Sequence, residues 1–126
     1  MDISFEFFPP SSNQAEIVLW ESIKILEPLK PNFVSVTYGA GGTTRERTHN
    51  CVKKIIDETN LEPAAHLTCV NSTKDEIKEI TDSYKKIGVK HIVAVRGGMP
   101  NFDNFKPHPK GYKTSIDLVK NLRTKL

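Results

Sequence analysis

The sequence predicts an α/β protein of four βα units that form the N-terminal half of a (β/α)8 TIM barrel, with residues 1–126 as a single partial domain. Three observations predict it. Strand-like and helix-like segments alternate in units of about 30 residues, the order of a parallel sheet with right-handed crossovers. The strand segments alternate polar with apolar residues, whereas strands of an open doubly wound sheet, covered by helices on both faces, run almost wholly apolar. Finally, four units are half of the eight that close a barrel of about 250 residues. A four-stranded piece would leave its first and last strands with unpaired edges.

The units follow in order. Ile3-Ser4-Phe5-Glu6-Phe7-Phe8 reads as a strand stopped by Pro9-Pro10. Ser11, Ser12 or Asn13 then caps a helix with Leu19, Ile23 and Leu26 at helical spacing and Trp20 on the flank; Pro28 and Pro31 end it. Asn32–Tyr38 is the second strand, broken by Gly39-Ala40-Gly41-Gly42, and a helix from about Thr43 to Glu58 carries Val52, Ile55 and Ile56. The third strand is Ala64–Val70. Ser72 or Thr73 caps a helix through Ile77, Ile80 and Tyr84 that Gly88 closes. His91–Arg96 is the fourth strand, stopped by Gly97-Gly98. A loop rich in Asn, Pro and Gly leads at about Lys113 to a last helix with Ile116, Leu118, Val119 and Leu122.

Bulk properties narrow the function classes. The 126 residues are 37% hydrophobic and 26% charged, with a net charge of +3. Basic residues occur at most in pairs such as Lys53-Lys54 and Lys85-Lys86, so no arm or stripe points to nucleic acid. Cys51 and Cys69 lie in no metal-binding spacing and read as free thiols of a reducing compartment. The start lacks the basic and apolar regions of a secretory signal, and no apolar run nears the roughly 20 residues of a membrane span. A soluble cytoplasmic protein without membrane partners is the expectation.

The polar side chains of the strands are the candidate site. By alternation Ser4, Glu6 and Phe8 share one face, Ser35 and Thr37 extend it, and His66 and Thr68 follow. Such a row needs water or a polar ligand, which the mouth of a barrel supplies at the C-terminal strand ends. Glu6, between Phe5 and Phe7 and beside Phe8, is expected to be partly desolvated, which favours its protonated form and suits a general acid. The plainer alternative is a solvated strand-end carboxylate or one paired with a lysine. Thr37–Gly42 offers backbone amides to a phosphate or an aromatic ring, although a plain βα turn explains it too. His66 is either a ligand contact or a satisfied structural histidine. Arg96-Gly97-Gly98 places a cation with little bulk around it at a strand end, suited to a pyrophosphate or to a local salt bridge. Arg45-Glu46-Arg47-Thr48 reads as a solvated helix face.

Four stretches, Ser4–Pro10, Phe33–Ala40, Ala65–Cys69 and His91–Gly97, together resemble the methylenetetrahydrofolate reductase family in order and spacing. The resemblance implies a β/α barrel holding FAD at its strand ends, a folate substrate, NADH or NADPH as reductant, and a homo-oligomer when full length. It implies that Glu6 is the proton donor and that Thr37 belongs to the flavin and nicotinamide site. It implies flavin contacts at Tyr38, Ala40, His66, Arg96 and Gly97. The family usually carries Asp where this chain has Gly98, and an aromatic followed by Ala where it has Thr114 and Ser115; Asp103 is the nearest carboxylate in the following loop. A truncated, non-catalytic remnant or binding module of the same fold is the alternative.

Overall fold

The computed structural model describes residues 1–39, 44–99, 104 and 106–125. Its single sheet has four parallel strands, β1 (Ser4–Phe7), β2 (Phe33–Val36), β3 (Pro63–Thr68) and β4 (His91–Val95), in the spatial order β1-β2-β3-β4. The helices between and after them are α1 (Asn13–Leu26), α2 (Arg45–Glu58), α3 (Lys74–Lys86) and α4 (Ser115–Lys125). The order runs without reversal. That is the strand sequence of a barrel wall and lacks the switch point of a doubly wound sheet.

Local chemistry sets the element ends. Of the three cap candidates before α1, Ser12 is the cap, its Oγ accepting from Ala15 N at 3.1 Å. Pro28 opens a short 3₁₀ turn at Glu27–Leu29, and Lys30 leaves it in the left-handed region at φ 51°. At α3 it is Thr73, not Ser72, that caps. Its hydroxyl accepts from Glu76 N at 3.1 Å, and the Glu76 carboxylate accepts from Thr73 N at 2.7 Å, a reciprocal capping box. Gly88, at φ 93°, then turns the chain off the helix, with Val89 N donating to Tyr84 O at 3.0 Å. Thr114 caps α4, its Oγ1 accepting from Asp117 N at 3.1 Å.

The core lies between one face of the sheet and the helices. Phe7, Val34, Val36, Ala65, Leu67 and Cys69 supply it from the strand side, and Ile23, Val52, Ile55, Ile77, Tyr84 and Leu118 from the helices. Both cysteines are buried and unbridged. On α4 the expected apolar face is narrower than the sequence suggested. Leu118 and Leu122, four residues apart, are buried, whereas Ile116 and Val119 project from the flanks into solvent. Thr48 also departs from expectation. Arg45, Glu46 and Arg47 are exposed, but Thr48 is fully buried and its hydroxyl donates to Thr37 O at 2.6 Å. The first turn of α2 is thereby tied to the end of β2.

The large exposed apolar residues between Met1 and Phe33 are Met1, Ile3, Phe8, Ile17, Val18, Ile25, Leu29 and Phe33; Ile116 and Val119 complete the set. None of the described residues from Val34 to Ser115 joins it, so beyond Phe33 at the start of β2 the second and third units are closed, while the first and last present apolar flanks. Truncating Ile55 to Ala is expected to cost about 2–5 kcal/mol, as for other buried aliphatic side chains. Ile25→Ala should change stability by less than about 0.5 kcal/mol. Urea denaturation midpoints of the two variants check this.

Candidate functional site

The register of the parallel ladder decides which polar side chains meet. Glu6 pairs with Ser35 across β1 and β2, and Ser35 pairs with Ala64 across β2 and β3. The three are in line on the sheet face opposite the helices, and His66 follows Ala64 on that face two residues later. Because Ala64 is small, the Glu6 carboxylate reaches past Ser35 toward β3. Its Oε2 lies 3.5 Å from Ser35 Oγ, which donates to it, and 3.5 Å from His66 Nε2. The serine contact is at the outer limit of hydrogen bonding, and the histidine contact is an ion-pair distance.

Ser35 is the residue that sequence reasoning passed over. It was read as one polar position on a strand, and only the register shows that it stands opposite Glu6. The expected desolvation of Glu6, in turn, is absent. Its side chain is 56% exposed, because Phe5 and Phe7 point to the opposite face and Phe8, on the same face, is itself 77% exposed. His66 is better enclosed, with 15% of its side chain exposed. Burial, which penalises the imidazolium, holds its pKa below the ordinary histidine value, while the Glu6 carboxylate opposes that shift.

The remaining predicted residues are placed as follows. Thr37 continues the polar face beyond Ser35, held by Thr37 N donating to Phe7 O at 3.0 Å and by the bond from Thr48 to its carbonyl. Tyr38 falls in step with Val34 and Val36 and is buried on the helix side, where desolvation pushes its phenol up to about 12. Its backbone, not its ring, borders the polar face. Ala40 and Asp103 lie outside the described residues. Arg96 follows the end of β4 and is exposed, its Nε donating to Gly97 O at 3.4 Å and its own carbonyl accepting from Val70 N at 2.9 Å. The structure therefore gathers Glu6, Ser35 and His66, aligns Thr37 with them, and sets Arg96 at the far edge, about 14 Å away in strand spacings.

Two further features mark the strand ends. Thr68, at the end of β3 on the polar face, is buried with its Oγ1 lacking a hydrogen-bond partner. Gly97, at φ 84°, lies against it. A Cβ there would come 2.7 Å from Val70 Cγ1 and 2.9 Å from Thr68 Cβ, whereas one at Gly98 would meet nothing within 4 Å. Among the described residues there is no group of three or more His, Cys, Asp or Glu able to hold a metal ion.

Two predictions follow from this geometry. In the folded chain His66 binds a proton less readily than in the unfolded chain, so its contribution to stability is complete above the unfolded value near 6.5 and is lost as pH falls through the lower folded value. Glu6→Gln removes the charge that favours the imidazolium and should lower the His66 pKa further, as read from an imidazole NMR titration. An unchanged or raised value would contradict the pairing. At the strand end, Gly97→Ala should destabilise by about 1–3 kcal/mol through overpacking and a strained φ, while Gly98→Asp should stay within about 0.5 kcal/mol. Thermal unfolding of the two variants checks this.

The chain matches the family described as methylenetetrahydrofolate reductase over residues 1–126. It is 52% identical to the 5,10-methylenetetrahydrofolate reductase of Escherichia coli K12 over 100 residues, which are 79% of this chain and 34% of that protein. It is 50% identical to that of Buchnera aphidicola from Acyrthosiphon pisum, over 92% of this chain and 38% of the relative. A rice protein named probable methylenetetrahydrofolate reductase (NADH) is 32% identical over 97% of this chain and 21% of its own length. The chain thus spans 34% to 38% of the two bacterial relatives. On the match along its whole length, this chain belongs to the methylenetetrahydrofolate reductase family.

Proposed function

We propose that this chain forms the N-terminal half of a flavin-dependent (β/α)8 barrel that reduces 5,10-methylenetetrahydrofolate to 5-methyltetrahydrofolate with NADH or NADPH. The observation that carries the reading is the meeting of Glu6, Ser35 and His66 on the non-helical face of an unreversed parallel sheet. Supporting it are the family membership and the apolar flanks left by the first and last units, which suit the addition of further βα units on each side. The name of the rice relative specifies NADH; NADPH is the alternative reductant.

In this reading Glu6 delivers a proton to a nitrogen of the folate's five-membered ring, so that the ring opens and a reducible carbon–nitrogen double bond forms at the other nitrogen. Its exposure is what a substrate needs to reach it. A bound FAD would supply hydride transfer, which no side chain can perform. The residues present fit such a group. Thr68 carries an unpartnered buried hydroxyl on the polar face, Arg96 offers an exposed cation at a strand end, and Gly97 and Gly98 add no bulk there. Thr37, His66, Arg96 and Gly97 would hold the cofactor, with Tyr38 contributing through its backbone; Ala40 is a further contact that the family resemblance implies.

The second reading is a non-catalytic remnant of the same fold, and Gly98 favours it, since it carries no carboxylate where the family usually has one. A chain extended to full barrel length separates the two. The enzyme reading expects it to take up FAD, turn yellow and oxidise NADH or NADPH. Glu6→Gln should leave flavin uptake intact and slow folate reduction by about 100-fold or more. A colourless extended protein that takes up no added FAD would overturn the reading. Recovery of activity on Gly98→Asp would identify a lesion in an enzyme, and no gain would favour the remnant.

A further inference from the structure

We propose that Ser35 is the positioning residue of Glu6: its hydroxyl and the His66 imidazole converge on Oε2, so that Oε1 is the oxygen turned toward a substrate. This rests on the reading of Glu6 as the proton donor. Ser35 is only 5% exposed, and its neighbours Val34 and Val36 are fully buried, so its Cβ is fixed by the core rather than by solvent-side contacts. The ladder puts it directly opposite Glu6 on the neighbouring strand, about 4.7–4.9 Å away. From there its Oγ reaches Glu6 Oε2, and His66 Nε2 reaches the same atom from β3, both at 3.5 Å.

The Ser35 hydroxyl donating to Oε2, with His66 Nε2 3.5 Å from the same oxygen, orients the carboxyl group. Oε2 serves as acceptor, which leaves Oε1 as the oxygen that carries and releases a proton. The proton passes from Oε1 to the substrate nitrogen and the carboxylate remains, with Oε2 still accepting from the Ser35 hydroxyl. A glutamate that is otherwise 56% exposed has several rotamers open to it, and the Ser35 contact selects among them. The other titratable groups on this face among the described residues are Asp2, ahead of β1, Glu62, ahead of β3, and His91 on β4, whose Nε2 lies 3.3 Å from Glu62. β2 contributes no charge, so His66 is the titrating neighbour that reports on where the Glu6 carboxylate lies.

The test uses this chain without flavin or folate, so that failure of the functional reading and failure of the positioning role are told apart. Ser35→Ala should release the Glu6 side chain, seen as averaging of its χ1 and χ2 couplings by NMR. The freed carboxylate supports the His66 imidazolium less, so the His66 pKa should fall to a value between those of the unaltered chain and Glu6→Gln. Ser35→Thr keeps the hydroxyl and should restore both readouts. Should Ser35→Ala reduce the folded fraction by circular dichroism, Ser35→Cys, similar in volume with a weak donor, takes its place against Ser35→Thr. Unaltered Glu6 couplings, or a His66 pKa that stays or rises in the variant lacking the hydroxyl, overturns the proposal.

Discussion

The parallel register of β1, β2 and β3 is the constraint on which everything else depends. A slip of one residue in any strand would exchange its two faces. In β2 it would carry Val34 and Val36, fully buried against the helices, to the open face and put Ser35 into the core. In β1 it would bury Glu6 among apolar side chains, where an unpaired carboxylate costs several kcal/mol or more. Burial of about 1.5–3 kcal/mol for each fully enclosed Val or Leu therefore holds the polar side chains in line. The site needs no separate device to align Glu6, Ser35 and His66: any register that keeps Val34, Val36 and Leu67 buried leaves them on a common face.

That dependence explains what the sequence made legible. Helix faces, caps and strand order are local or periodic properties. Leu19, Ile23, Ile77, Ile80 and Tyr84 are buried where their spacing puts them, and Thr73 with Glu76 announces a capping box within four residues. Ser35 and Thr48 were not legible, because their partners are distant in the chain. The hydroxyl of Ser35 meets a residue 29 positions away, and that of Thr48 a carbonyl 11 positions away. The charged neighbours of Thr48 disguised a buried tie as a solvated stretch.

The exposure of Glu6 has a different reason, the alternation of the strand itself. Phe5 and Phe7 adjoin Glu6 in sequence but stand on the opposite face of the strand, so they cannot desolvate it. Tyr38 follows Val34 and Val36 in the same alternation, and this places its ring in the helix layer and leaves its backbone bordering the polar face. At both positions the period of two that governs strands outweighs proximity along the chain. Arg96 is the converse. Alternation with Ile92 and Ala94 would send it toward the helices, yet the strand ends at Val95, the backbone turns at Gly97, and the side chain is exposed.

The glycine pair after β4 separates structural demand from chemical choice. At position 97 the fold requires glycine, because the backbone adopts φ 84° and Thr68 and Val70 stand where a Cβ would go. At position 98 there is open space and no such conformation, so an aspartate side chain would meet no steric obstacle. The absence of the carboxylate is therefore not imposed by packing in this chain. Its consequences fall on whatever approaches the polar face, since Glu6 is the acidic side chain that β1 to β4 present there. An exposed acid that accepts from a buried serine and lies beside a largely enclosed histidine is suited to moving a proton. Tuning of a bound ring system by a second negative charge would have to come from residues beyond these four strands.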